Sequence, residues 1–403
     1  MVKRPRCRIL GVMSGTSADS IDVAVCDLSF TPAKRIQADL IAFYEHPIPA
    51  HLRQALLNLF RDRRGSLKWV CSLNFALGQA FADAVEACLR RHHISHSSVV
   101  AIASHGQTVY HVPPSQAHKR DLTASTLQIA EPAVIAERTG LMVIHNFRAA
   151  DVAVGGEGAP LVPFADYHLF GHPRNTIVVG NLGGIANVTV LPASNRLEDV
   201  IAFDTGPGNM LLDAIVHRFW PERQYDVGGR LASAGRVHVE LLERWTRMPF
   251  FHLPPPKSTG RELFGEQFLE KELRHSQSIS PQDLLATAVE FTARSFVESL
   301  SRFVEPRWPI AAIYMGGGGA RNRFLMQRIR ILAKQLLVRC PEVAPLEKLG
   351  MPAKARECVA FAVLGFARLL GLPGNVPSAT GASRSVLLGS ITEPTVLRGC
   401  PWR

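Results

Sequence analysis

The 403-residue chain has no Cys-x-x-Cys pair, and its seven cysteines (Cys7, Cys26, Cys71, Cys88, Cys340, Cys358 and Cys400) are odd in number and far apart. Neither a disulfide framework nor a zinc site is indicated, and a reducing cytoplasm suits such thiols. No apolar run reaches the roughly 20 residues of a membrane span. The most apolar window, Cys358 to Leu370, is interrupted by Arg368 and closed by Gly371 and Pro373, and reads as a buried helix. The basic start MVKRPRC leads into a stretch that breaks at Gly11 and Ser14 without a signal-peptide core or cleavage site, so secretion is not expected. Three fingerprints are also missing. There is no Walker A loop, because Lys257-Ser258-Thr259 follows Pro256 where that motif needs Gly. No dinucleotide GxGxxG follows a first strand, and no GxSxG elbow accompanies the histidines, which argues against a serine hydrolase.

Charge is lopsided, with 45 Lys plus Arg against 34 Asp plus Glu, giving +11. This favours anionic ligands. The basic residues are scattered (Arg61, Arg63, Arg64; Arg90, Arg91; Arg321, Arg323) without an aromatic ladder or basic arm, so nucleic acid is not the expected partner. Hydrophobic residues at 47% and charged residues at 20% describe a globular protein, and the length calls for two lobes.

Two segments share a design. Ile9 to Leu28 (ILGVMSGTSADSIDVAVCDL) and Thr176 to Leu191 (TIVVGNLGGIANVTVL) each run from an apolar β-branched stretch through a Gly/Ser/Asn/Thr turn into a second alternating stretch, the pattern of a hairpin. A third turn, Met315 to Asn322 (MGGGGARN), follows the apolar run Ile310 to Tyr314 and precedes a helix-like segment. Helical periodicity marks Leu52 to Phe60, Ser72 to Arg91, Pro281 to Phe303 and Ala355 to Leu370, and the interleaving implies an α/β protein. Leu372 to Ser385 and Pro254 to Gly260 read as surface loops.

Backbone N–H groups in small-residue turns can converge on an anion, which makes Gly11 to Ser17 and Asn181 to Asn187 candidate phosphate loops, the alternative being plain hairpin turns. Asp204, in AFDTGPGNMLLD, follows an apolar strand and precedes a Gly-rich turn; it is either a general base at a strand end or a cap. Asp213 reads as a helix-face or supporting residue. His105 and Gln107 follow the apolar run Val99 to Ala103 at an expected strand end, as ligand-positioning groups or turn formers. In FRAADVAVGGEGAPLVP, Arg148, Asp151 and Glu157 gather around glycines, and Arg148 could hold a carboxylate or phosphate in two-pronged fashion or make a surface ion pair. Glu357 interrupts an apolar helix near its start, as a helix-terminal charge or a group reaching a cleft. His92, His93 and His96 read as a solvated helix end.

In order along the chain, GVMSGTSADSIDVAV, SHGQTVYH, TLQIAEPAVIAERTG, GGEGAPLVP, NLGGIANVT, FDTGPGNML, PKSTGRELF, MGGGGARN and LPGNVPSATGAS resemble the 1,6-anhydro-N-acetylmuramic acid kinase family. The resemblance implies the two-lobed actin-like ATPase (ribonuclease H-like) fold with ATP in the cleft between lobes. It implies one lobe of residues 1–145 plus 375–403 and a second of 146–374. The reaction it implies opens the 1,6-anhydro bridge with water and phosphorylates O6, giving N-acetylmuramate 6-phosphate and ADP for bacterial cell-wall recycling. Asp204 matches the catalytic Asp. ATP phosphates would lie at Gly11, Ser14, Gly15, Thr16, Ser17, Asp19, Gly183 and Gly184, with Gly316, Gly317 and Gly318 on the adenosine side. Mg²⁺ would be held through the ATP phosphates, with no protein ligand assigned. Arg148, Glu357, His105 and Gln107 would bind the sugar. The family commonly forms homodimers, and no stripe of this chain marks an interface. Asn146 and Lys354 stand where the family commonly has Asp, and Ala18-Asp19-Ser20 where it has Leu-Asp-Gly. A non-catalytic ATP-binding relative, or a kinase of a related sugar, is the alternative these departures leave open.

Overall fold

The computed structural model describes residues 6–15, 18–61, 66–117, 122–274 and 279–399. The chain divides into two compact units, 1–169 with 354–403, and 170–353.

The first unit opens with the hairpin of β1 (Cys7–Met13) and β2 (Ser20–Phe30), extended by β3 (Ile36–Pro47). β4 (Ala101–Val112) then lies parallel to β1, β5 (Ser125–Ile129) folds back on the far half of β4, and β6 (Met142–His145) runs parallel to its first half. In the second unit β7 (Thr176–Leu182), β8 (Ile185–Leu191) and β9 (Ile201–Pro207) form an antiparallel meander. β10 (Ile310–Gly316) then pairs parallel to β7, and β11 (Glu342–Pro345) parallel to β10. The order β3-β2-β1-β4-β6 of the first sheet is thus repeated as β9-β8-β7-β10-β11 in the second. An antiparallel meander followed by two parallel crossovers, occurring twice, is the duplicated actin-like plan. A short β12 (Ser390–Thr392) closes the first sheet beside β6.

Both faces of β1 are buried from Ile9 onward, so that part of the strand is apolar instead of alternating, while the half-buried Arg8 before it pairs with Asp27. Leu10 and Val12 share a core with Leu73, Leu77 and Phe81 of helix Leu67–Arg91. The opposite face carries helix Arg356–Leu369, whose approach depends on two glycines. A Cβ on Gly11 would lie 1.7 Å from the carbonyl oxygen of Cys358, and one on Gly365 would lie 2.7 Å from the Ala103 methyl. In the second unit, helix Pro281–Phe303 is buried through most of its middle, from Leu284 to Leu300, and packs beneath β9 and against helix Arg323–Leu336.

Three sequence expectations change. Residues 146–169 and 354–374 pack with the first unit, not the second, because helix Arg356–Leu369 covers β1, β2 and β4 and Arg356 pairs with Asp166. His105 lies within β4 instead of at a strand end, since β4 outlasts its pairing with β1 and continues against β5. Gly106, at φ +72°, makes the bend where β4 changes partners. The two loops read as superficial are anchored inward: Asn375 and Thr380 are buried, as is Lys257.

Candidate active site

In the first unit, β4 and the short helix Ala149–Ala153 bring Arg148 onto His105. Arg148 Nε donates to His105 Nε2 at 3.0 Å, and Nη1 donates to the carbonyl of Gly158 at 2.7 Å. A guanidinium can only donate, so His105 Nε2 must accept, and its proton sits on Nδ1, 3.0 Å from the Gly106 carbonyl. Burial and the Arg148 charge hold His105 well below the usual histidine range, which keeps this tautomer neutral. The ring rests on Phe361, centroids 4.6 Å apart. Burial lowers Arg148 to about 10, opposed by Glu357 and Asp151. Nη2 of Arg148 has no protein partner among the described residues, so one edge of the fork is available to an anion.

Asp151 is the scaffold of this corner. It is fully buried and accepts from the Gly158 amide (2.9 Å), Asn375 Nδ2 (2.8 Å) and Thr380 Oγ1 (2.8 Å). A Cβ on Gly156 would fall 2.2 Å from Asp151 Oδ2, which accounts for the glycine there. Glu157 turns away to Ser115, accepting from its amide and hydroxyl. Arg148, Asp151 and Glu157 therefore share one corner, but Arg148 makes no ion pair among the described residues.

Ser14, following β1, and Gln107 are both buried, and Ser14 Oγ and Gln107 Oε1 lack hydrogen-bond partners among the described residues. Gly15 is exposed, with nothing within 4 Å of the place a Cβ would take. Thr16 and Ser17 lie outside the described residues. Asp19 is exposed and paired with Arg53 at 2.6 Å. Glu357 is exposed in the first turn of its helix, and Lys354 pairs with Glu45 at 2.7 Å. Asp22, near Glu45, Lys354 and Glu357, is raised chiefly by burial. Asn146 has φ +57°, a left-handed conformation that Asn and Asp both tolerate. Gly11 lies within β1, under helix Arg356–Leu369.

In the second unit the Gly183-Gly184 turn joins β7 to β8 and caps helix Asn209–Phe219: the Asn209 amide donates to Gly183 O at 2.7 Å, and those of Gly208 and Met210 to Gly184 O. The third glycine turn packs against the same place. Gly317 has φ +83°, and a Cβ there would lie 2.5 Å from Asn181 Oδ1, while one on Gly319 would lie 2.7 Å from Asn209 Oδ1. Gly316 ends β10, and Gly318 begins a 3-10 turn.

Asp204 sits on β9 under the segment 257–259. Its amide donates to the Lys257 carbonyl at 3.0 Å, and its Oδ2 accepts from the Thr259 amide at 2.9 Å. Burial raises its pKa to about 6; Glu262 adds to the rise, while the Thr259 amide and the Lys257 charge oppose it. A carboxylate poised near neutral pH is suited to accept a proton. Asp213, on helix Asn209–Phe219, is likewise raised by burial to about 6. In the sequence, Lys257 and Thr259 belong to an expected surface loop and to the family motif PKSTGRELF, with no site role of their own. The signal present was a lysine flanked by the Phe250-Phe251 and Phe264 aromatics.

These features define a two-unit actin-like enzyme with an arginine fork in one unit and a near-neutral carboxylate in the other. A model of the anhydro-N-acetylmuramic acid kinase family matches residues 7–394. The chain is 40% identical over 389 residues to the anhydro-N-acetylmuramic acid kinase of Caldanaerobacter subterraneus subsp. tengcongensis, covering 95% of this chain and 96% of that one. It is 41% identical over 388 residues to the enzyme of that name from Bacillus cereus strain G9842, covering 96% of this chain and all of the other. Among solved structures, a ROK family glucokinase from Streptomyces griseus in complex with glucose and AMPPNP aligns at a TM-score of 0.37 and 12% identity, over 89% of this chain and 98% of that chain. The chain belongs to the anhydro-N-acetylmuramic acid kinase family, whose members are ATP-dependent sugar kinases.

Proposed function

We propose that this kinase opens the 1,6-anhydro ring of anhydro-N-acetylmuramic acid with water and transfers the γ-phosphoryl group of ATP to the freed O6. The observation that carries the reading is Asp204, a mostly buried carboxylate raised to about 6 and oriented by the Thr259 amide. The ring oxygen bridge shields one face of C1, so water attacks from the other. As the water oxygen bonds to C1 its proton passes to Asp204, the C1–O6 bond breaks, and O6 takes the phosphoryl group as ADP leaves. The products are N-acetylmuramate 6-phosphate and ADP.

Ser14 with Gly15, and the Gly183-Gly184 turn, are proposed to position the ATP phosphates; Gly316 to Gly318 are proposed to support the adenosine side. The unpartnered Ser14 Oγ fits a polar ligand. No cluster of three His, Cys, Asp or Glu side chains suited to a metal occurs among the described residues. A magnesium ion carried by the ATP phosphates would neutralise charge on the transferring group, with the exposed Asp19, paired with Arg53, as the candidate protein carboxylate. His105 supports the Arg148 fork, which is proposed to hold the sugar's lactyl carboxylate, while Gln107 and Glu357 address its polar groups.

Incubating the protein with the anhydro-sugar, ATP and Mg²⁺ should give, by mass spectrometry, a product heavier by one water and one phosphoryl group, and none without ATP. A product heavier by a phosphoryl group alone would refute the ring opening. Arg148→Ala should weaken sugar binding by about tenfold or more in calorimetry, with ATP affinity within about threefold. Equal loss of both ligands would remove Arg148 from the sugar site.

A further inference from the structure

Lys257 is a buried cation that packing alone does not explain. Its side chain enters between Phe250 and Phe303, with Nζ 4.7 Å from each ring centroid, and donates to the Phe250 carbonyl at 3.1 Å. It forms none of the ion pairs found among the described residues. Phe303 lies edge-on to Phe203, the neighbour of Asp204 in β9. A methionine or leucine would fill this slot without desolvating an ammonium, so the charge itself calls for a purpose.

That purpose is visible in the backbone. The carbonyl of Lys257 accepts from the Asp204 amide, and two residues later the Thr259 amide donates to the Asp204 carboxylate. Anchoring Lys257 therefore fixes the segment 257–259, which brackets Asp204 at both its main chain and its side chain. We propose that Lys257 is a positioning residue for Asp204, its ring-clamped ammonium both fastening segment 257–259 over β9 and supplying the positive field under which the carboxylate ionises. This rests on the reading of Asp204 as the base.

The charged groups around the pair set the direction of the effect. Glu262 disfavours the Asp204 carboxylate, and Lys257 and the Thr259 amide favour it. On the lysine, burial lowers the pKa to about 8, Arg302 adds to the lowering, and Asp204 opposes it. Arg302 is itself turned to the Phe251 carbonyl and His252. Removing the lysine charge takes away an attraction and leaves Glu262, so Asp204 must titrate higher.

The test is the pH profile of kcat/KM for the anhydro-sugar in Lys257→Met, beside wild type and Asp204→Asn. The acidic limb, near pH 6 in wild type, should move up by about one pH unit in Lys257→Met, so that activity at pH 6 falls about fivefold more than activity at pH 8. Affinity for ATP should stay within about twofold. Lys257→Arg, which keeps the charge, should restore the position of the limb. If Lys257→Met does not fold, Lys257→Gln retains a donor for the Phe250 carbonyl and is read in the same way. A uniform loss of activity with an unmoved limb would make Lys257 merely structural and overturn the proposal, even with Asp204→Asn inactive. Retained turnover in Asp204→Asn would instead remove the base assignment on which the proposal stands.

Discussion

Asp204→Asn should lower turnover by about 10²- to 10⁴-fold, the usual contribution of a positioned general base, with ATP affinity within a few fold of wild type. The amide keeps an oxygen for the Thr259 N–H, so the loop 257–259 should hold its place and the loss should be one of proton transfer. Steady-state kinetics combined with nucleotide titration separates the two, and preserved turnover would take Asp204 out of this role. Stability provides a second readout with a definite sign. Because the folded-state pKa of Asp204 is raised to about 6, the protonated form is favoured by folding. Its stabilising contribution is complete below the unfolded pKa of about 4 and disappears as pH rises through about 6. Thermal melts should therefore show wild type gaining on the Asn variant as pH falls from about 6 to about 4, and no relative change would contradict the burial.

Asp166→Ala should destabilise the first unit by about 3–5 kcal/mol. Asp166 is fully buried and binds Arg356 with both carboxylate oxygens, Arg356 Nε donating to Oδ1 at 2.9 Å. The pair ties helix Val162–Phe170 to the start of the helix that covers β1. Truncating the acid leaves a guanidinium that cannot neutralise itself, buried without its partner. A fall in melting temperature of roughly 6–20 °C in calorimetry is the corresponding observable. Asp166→Asn, which leaves an acceptor for one donor, should lose less. A near-neutral Ala variant would mean that water reaches Arg356 and the pair is not closed.

Much of the fold was legible because its signals are local. The two hairpins announced themselves by an apolar stretch, a small-residue turn and a second alternating stretch, and the glycine turn after Ile310–Tyr314 was fixed by its neighbours in sequence. What could not be read was partner choice at a distance. Nothing near His105 says that β4 changes partners at Gly106, and nothing in LPGNVPSATGAS says that Asn375 and Thr380 reach back to Asp151. Candidate residues were found where chemistry and local pattern coincide, as at Asp204 and Arg148. Lys257 and Asp166 owe their importance to what surrounds them, and an acid inside VPFADYHLF or a lysine after three prolines gives no local sign of its partner.

The way the first unit is assembled from both ends of the chain bears on how the protein is made. Residues 170–353 form one uninterrupted stretch and can pack as soon as they leave the ribosome. The first sheet must wait. Until Arg356–Leu369 has been synthesised, Ile9, Gly11 and Ala103 have no helix over them, and Asp166 has no guanidinium to neutralise it. The N-terminal segment, although born first, should be the last to mature, and the interval in which one face of its sheet lies bare is when nascent chains should be most exposed to chaperones and proteases.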